Sequence, residues 1–247
     1  MIVVVGLAFE ARIAAGPGVR VICSGDGRNL VSSLAKAIRE ARLRKKDCGG
    51  LISFGVAGGL NPDLLPGTCV VGSAVLNGDS RTPTDADWSQ RLVRTIPGAV
   101  HGAIMGVSAP VVRPEDKRAL YERTGAVAVD MESHIVASLA RRHGIPMAAI
   151  RVITDPAERA LPACAVSAMR PNGTTDILAM IRSVISRPRE LPALVQTALD
   201  ARAARSTLMR GRKLLGPGLG LPTVTAAELA SPYLPSAIAG PATSGSG

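Results

Sequence analysis

The chain has 247 residues, a net charge of +10 and an isoelectric point near 10.3, with 47% apolar but only 2% aromatic residues. That length and apolar share describe a globular protein with one sizeable core; no apolar run reaches the ~20 residues of a bilayer-spanning helix, and the start, Met1-Ile2-Val3-Val4-Val5-Gly6, lacks a basic leader region, so a cytoplasmic protein is expected. The scarcity of aromatics excludes the stacking platforms of single-strand nucleic-acid binders, no DNA-reading motif is present, and the scattered cysteines and histidines fall into no metal-ligand spacing.

Residues 2–5 form a β-branched run that predicts a buried first strand. Glu10 follows it, and in α/β sheets ligands bind beyond the carboxyl ends of strands. A second strand is expected over 19–23, and then Ser24-Gly25-Asp26-Gly27-Arg28. Glycines there let backbone N–H groups approach an anion, and Arg28 stands at the start of a helix, where a phosphate could sit. That helix carries Leu30, Leu34, Ile38 and Ala41 at helical spacing, with Lys36, Arg39, Arg42 and Arg44 on a solvated face. Residues 50–54 read as a third strand. Gly55-Val56-Ala57-Gly58-Gly59-Leu60 then reads as a loop whose glycines exceed the needs of a turn and allow a flat ligand to lie against the backbone. A strand over 69–76, a polar turn-rich stretch with a short helix at 87–96, and a strand over 102–107 come next.

Residues 126–155 form a strand–helix–strand unit. The first strand, 126–129, ends in Asp130-Met131-Glu132; the helix has Ile135, Val136, Leu139 and Ala140 on one face and stops at His143-Gly144; the second strand, 147–153, delivers Thr154-Asp155. Acids at two strand ends suit a shared pocket. They also suit a structural reading, in which Asp130 caps the helix, Glu132 answers its dipole and Thr154-Asp155-Pro156 is a turn. Further on, a helix is expected over 174–185, a break at 188–192, and a final helix over 193–215. Between Arg182 and Lys213 eight cations stand against two acids, and this amphipathic, basic helix suits contact with an anionic membrane as well as simple packing with solvated arginines. Residues 216–247, rich in Gly, Pro, Ala and Ser, read as a flexible tail, which divides the chain into a catalytic domain (1–188), a basic helix (189–215) and that tail.

Val129-Asp130-Met131-Glu132-Ser133, followed by Arg151-Val152-Ile153-Thr154-Asp155 and preceded by Gly55–Leu60, resembles the signature of the nucleoside phosphorylase and nucleosidase superfamily. The resemblance implies an α/β fold: a three-layer α/β/α sandwich around a mixed, barrel-like sheet. It implies that Met131 and Glu132 hold the ribose, that Asp155 protonates the departing purine, and that Glu10 orients the attacking water. Burial at a strand end would keep the Asp155 carboxyl in its acid form. Val56, Ala57, Gly58, Ser108, Pro110, Val129 and Thr154 would line the base and ribose pocket, and Gly27 with Arg28 would hold phosphate if phosphate is the nucleophile. The family presents an aromatic residue to the base where this chain has Pro110 or Val111, and an acid where it has Thr68. No cofactor or metal is implied; phosphate is the alternative co-substrate, and a homo-oligomer is expected.

Within the superfamily, Asp130-Met131-Glu132-Ser133-His134, Asp155-Pro156-Ala157, Arg159-Ala160-Leu161-Pro162, Arg187-Pro188 and Leu191-Pro192-Ala193-Leu194 resemble the hopanoid-associated phosphorylases. That likeness implies a lipid-linked nucleoside, adenosylhopane, as substrate. The competing readings are a methylthioadenosine or adenosylhomocysteine nucleosidase, a purine nucleoside phosphorylase, and a nucleoside-binding or membrane-bound protein without catalysis.

Overall fold

The computed structural model describes residues 1–24, 27–43, 49–160 and 191–221. Its first strand, β1 (Ile2–Val5), is wholly buried, as its β-branched run demands. Helix α1 (Ala8–Ala14) leaves it, then β2 (Arg20–Cys23) and α2 (Gly27–Leu43). Next come β3 (Leu51–Gly59), β4 (Cys69–Asn77), β5 (Ser80–Pro83), α3 (Ala86–Thr95) and β6 (Val100–Gly106). Helix α4 (Pro114–Thr124), β7 (Ala128–Asp130), α5 (Ser133–His143), β8 (Met147–Asp155) and α6 (Leu191–Leu214) complete the described chain.

The sheet is mixed and partly closed. Strands run in the order β2-β1-β3-β7-β6-β4-β5, and β8 pairs with both β3 and β4, so β3, β7, β6, β4 and β8 close a five-stranded ring. β8 runs parallel to β3 over its whole length and antiparallel to β4 through Cys69↔Val152 to Val71↔Ile150. Helices cover two sides. Leu30, Leu34 and Ile38 of α2 and Val136, Leu139 and Ala140 of α5 bury one face. Trp88 and Leu92 of α3 and Ala204 and Leu208 of α6 bury the other. Each buried leucine, isoleucine or valine among them contributes roughly 2 kcal/mol. Helix α4 rests on a third cluster through Leu120. The expected fold class is therefore the observed one: an α/β protein with helices around a mixed, barrel-like sheet.

Several local expectations change. The glycine segment at 55–59 is not a loop: β3 continues to Gly59, pairing with β8 on one edge and with β7 through Gly58↔Val129 on the other. Thr154 and Asp155 belong to β8 rather than to a turn, with a bulge that sets Asp155 opposite Gly58. The polar stretch after residue 79 contains β5, and two helices, α1 and α4, had no expected counterpart. Helix α4 nevertheless carries plain signals: Pro114 in its first turn, Glu115 and Asp116 beside it, and Gly125 in the left-handed conformation at its end.

Helix α6 begins at Leu191, with Pro192 tolerated in its first turn. Beyond it residues 216–221 turn back on the domain: Leu219 is fully buried and its carbonyl accepts a hydrogen bond from Trp88 Nε1 (2.9 Å), so the packed chain runs on to Leu221. The helix expected at 174–185, the break at 188–190, Gly25, Asp26 and the remainder of the tail lie outside the described residues. Among the described residues no helix is long and apolar enough to cross a membrane.

Candidate active site

The carboxyl ends of β1, β3, β7 and β8 open onto one cavity of about 170 Å³. Glu10, Met131, Glu132 and Asp155 all line it. So do Val56, Ala57 and Gly58 from β3, Val129 from β7, Thr154 from β8, and Pro110. Three expected site residues lie elsewhere. Ser108, Gly27 and Arg28 line an adjoining cavity of about 270 Å³, which shares Met131 and Glu132 with the first. Ser108 thus lies outside the pocket expected for it, although Val107, Pro110 and Val111 on either side of it line that pocket.

Glu10 is placed by local geometry. As the third residue of α1 it reaches back so that Oε2 accepts hydrogen bonds from the N–H groups of Leu7 (2.8 Å) and Gly6 (3.0 Å). Its Oε1 accepts from the N–H of Val56 across the sheet (2.7 Å). Burial pushes its carboxyl above the ordinary range, against the opposing pull of Arg151 and of these three N–H donors. The glycines make room for the acids. A Cβ on Gly55, whose φ is +157°, would collide with the Glu10 carboxylate, and one on Gly6 would collide with that of Glu132. The glycine-rich strand is therefore explained at least as well by close approach of carboxylates as by a flat ligand.

Arg151 organises the centre, although it enters the sequence reading only as part of a motif. It is 1% exposed. Its Nε lies 2.6 Å from Asp130 Oδ2, an ion-pair contact at an angle too poor for a hydrogen bond, and one terminal nitrogen lies 3.2 Å from Glu132 Oε2 and donates to Val56 O (3.1 Å). The other donates to Ser53 Oγ. Burial disfavours the guanidinium, but Asp130, Glu132 and Glu10 outweigh it and hold it firmly protonated. Asp130 also accepts from Ser133 N (3.1 Å) and from the Ser133 hydroxyl, so it braces the start of α5 while anchoring Arg151. The N-cap position falls to Glu132 rather than to Asp130, which braces the helix from two residues further back, and Glu132 faces the cavity. Burial pushes the Glu132 carboxyl up to about 7, with Arg151 opposing and Asp130 and Glu10 reinforcing the rise.

Asp155, at the end of β8, has an ammonium beside it that the sequence reading did not include. Lys117 of α4 is fully buried, and its Nζ donates to Asp155 Oδ2 at 2.7 Å, to Pro156 O at 2.9 Å and to Arg159 O at 3.1 Å. Thr154 Oγ1 donates to Oδ1 at 3.0 Å. The Asp155 side chain keeps 13% of its surface, on the cavity side.

The sequence profile of the phosphorylase superfamily matches residues 5–186. The chain belongs to the phosphorylase superfamily. It is thereby an enzyme of the nucleosidase and nucleoside phosphorylase kind. Its fold is shared by the 5′-methylthioadenosine/S-adenosylhomocysteine nucleosidase of Helicobacter pylori, solved with butyl-thio-DADMe-Immucillin-A (TM-score 0.61, 14% identity, 87% of this chain and 94% of that one). The futalosine hydrolase of Helicobacter pylori (TM-score 0.57, 15% identity, 74% and 97%) is similar. So is the methylthioadenosine/S-adenosylhomocysteine nucleosidase of Neisseria meningitidis, solved with methylthio-immucillin-A (0.58, 19%, 85% and 96%). No curated protein sequence matches the chain.

Proposed function

We propose that this phosphorylase-superfamily enzyme cleaves the N-glycosidic bond of an adenine nucleoside, and that the nucleoside is adenosylhopane, converted to ribosylhopane with release of adenine. The observation that carries the reading is the convergence of Glu132 and Asp155 on one cavity that Gly58 also lines. In the transition state the C1′–N9 bond breaks, positive charge grows on the sugar and the bonding electrons pass to the purine. Asp155 gives its proton to N7, so the base leaves neutral. Glu132 accepts hydrogen bonds from the 2′- and 3′-hydroxyls and stabilises the cationic sugar, and Met131 packs beneath the ribose. Glu10 positions the attacking water. Phosphate in its place would fall to Gly27 and Arg28, whose cavity joins the first at Met131 and Glu132.

Two features support a lipid-linked substrate. The base wall is aliphatic at Pro110 and Val111, so affinity must come from elsewhere, and apolar burial at about 25 cal/mol per Å² supplies it. The outward face of α6 joins half-exposed Val195, Leu199 and Met209 to exposed Arg202, Arg205, Arg210 and Lys213, while its one acid, Asp200, turns inward to Arg159. Such a face suits the inner, anionic surface of a membrane. A soluble nucleoside such as methylthioadenosine is the second reading, favoured by the fold shared with the two nucleosidases. Incubation with adenosylhopane and with methylthioadenosine, with and without phosphate, separates them: adenine and ribosylhopane from the lipid alone support the proposal, and turnover of methylthioadenosine alone refutes the lipid assignment. Asp155→Asn is expected to lower turnover by about 10²–10⁴.

A further inference from the structure

Lys117 is one of the largest fully buried side chains of the protein, and it is charged. An ammonium has three N–H bonds, and here each finds an oxygen: one from the Asp155 carboxyl and two from the carbonyls of the loop that follows β8. A staple for that loop needs only the carbonyls. The third bond goes instead to the side chain that presents an acid to the cavity. With Lys117 on Oδ2 and Thr154 on Oδ1, the Asp155 carboxyl has little rotational freedom, and the absence of a Cβ at Gly58, which would stand 3.0 Å from Oδ2, lets it seat there. Helix α4 also begins just after Pro110 and Val111, so the lysine ties the base wall to the acid.

We propose that Lys117 is the positioning residue of the leaving-group acid: it fixes the direction in which Asp155 presents its proton and stabilises the carboxylate that forms when that proton departs. This rests on the assignment of Asp155 as the acid. In the step, the Asp155 O–H bond breaks and the purine N7–H bond forms, the C1′–N9 bond breaks with its electrons passing to the base, and the water held by Glu10 adds at C1′ as one of its O–H bonds breaks and that proton passes to the Glu10 carboxylate. Lys117 keeps its three protons throughout. Its charge is in place before the reaction, so no reorganisation is needed as the carboxylate develops. Lys117 is the charged group in contact with Asp155; Glu10 from α1, Glu132 at the start of α5 and Arg151 upstream on β8 share the cavity with it, and the Arg159 guanidinium of the following loop is taken up by Asp200.

The test compares wild type, Lys117→Met, Lys117→Arg, Asp155→Asn and the Asp155→Asn/Lys117→Met double variant, in kcat and KM from pH 5 to 9, with thermal melts alongside. Lys117→Met is expected to lower kcat ~10- to 100-fold, the scale of a misdirected catalytic group, with KM nearly unchanged. Loss of the cation should move the high-pH limb of kcat upward, and Lys117→Arg should recover part of the rate. In the Asp155→Asn background no acid remains to be positioned, so adding Lys117→Met should lower kcat less than about twofold, the non-additivity of residues acting as a unit. An equal loss in both backgrounds, or a wild-type kcat and pH profile in Lys117→Met, overturns the proposal and leaves Asp155 as the acid. A fully active Asp155→Asn removes the acid assignment itself, and the role of Lys117 with it.

Discussion

Glu132 offers the most direct test of the electrostatics of the site. Its carboxyl is pushed up to about 7 by burial, whereas an unfolded glutamate titrates near 4.5. Between those values the folded chain holds a proton at Glu132 that the unfolded chain has already released. The unfolded state then binds fewer protons, so stability falls as pH rises from about 4.5 to about 7, and the loss is complete above that. At ~1.4 kcal/mol per pH unit the full effect is ~3 kcal/mol. Glu132→Gln has no proton to lose. Glu10, also pushed up by burial, acts in the same direction and remains in both proteins, so the difference between wild type and variant reports Glu132 together with its coupling to Glu10. Urea unfolding at pH 5, 6, 7 and 8 measures it. From pH 5 to pH 8 the stability of the variant relative to wild type should rise by ~3 kcal/mol. A difference that stays constant across the range would show that the folded-state carboxyl titrates like an unfolded one, and the buried, Arg151-paired arrangement would be refuted.

Gly55→Ala drives a methyl group into the Glu10 carboxylate, whose three backbone hydrogen bonds fix its place, and should lose ~1–3 kcal/mol by thermal or urea unfolding, together with turnover. A variant as stable and active as wild type would mean that Glu10 does not occupy that space. On α6, Arg210→Glu with Lys213→Glu should weaken co-sedimentation with phosphatidylserine vesicles at least ~30-fold, at ~1 kcal/mol per juxtamembrane cation, while leaving binding to neutral vesicles unchanged. Wild-type protein that ignores both kinds of vesicle removes the membrane contact.

Much of the fold and most of the cavity are legible in the sequence because they are written in local pattern. The Ile2–Val5 run, the apolar stripe of α5 with its glycine stop, and acids placed just past strand ends each follow from a period of two or 3.6 and from where a chain can turn. Arg151 and Lys117 are different. Arg151 sits inside an apolar strand, where the pattern offers no reason for a cation. Lys117 sits among Glu115, Asp116 and Arg118, where any charge reads as solvated.

The sequence by itself thus determined most of the strands, the helices α2, α3 and α5, the superfamily signature and the acids that line the cavity, since each depends on residues a few positions apart. Only the tertiary structure decided which charges those acids meet. Insertion of β8 between β3 and β4 closes the strand ring and turns the glycine segment into an inner strand. It also sets Asp155 against a lysine 38 residues away in the chain. The reason is that ion pairing depends on distance through space, and a closed ring brings together side chains whose separation along the chain carries no periodic signal.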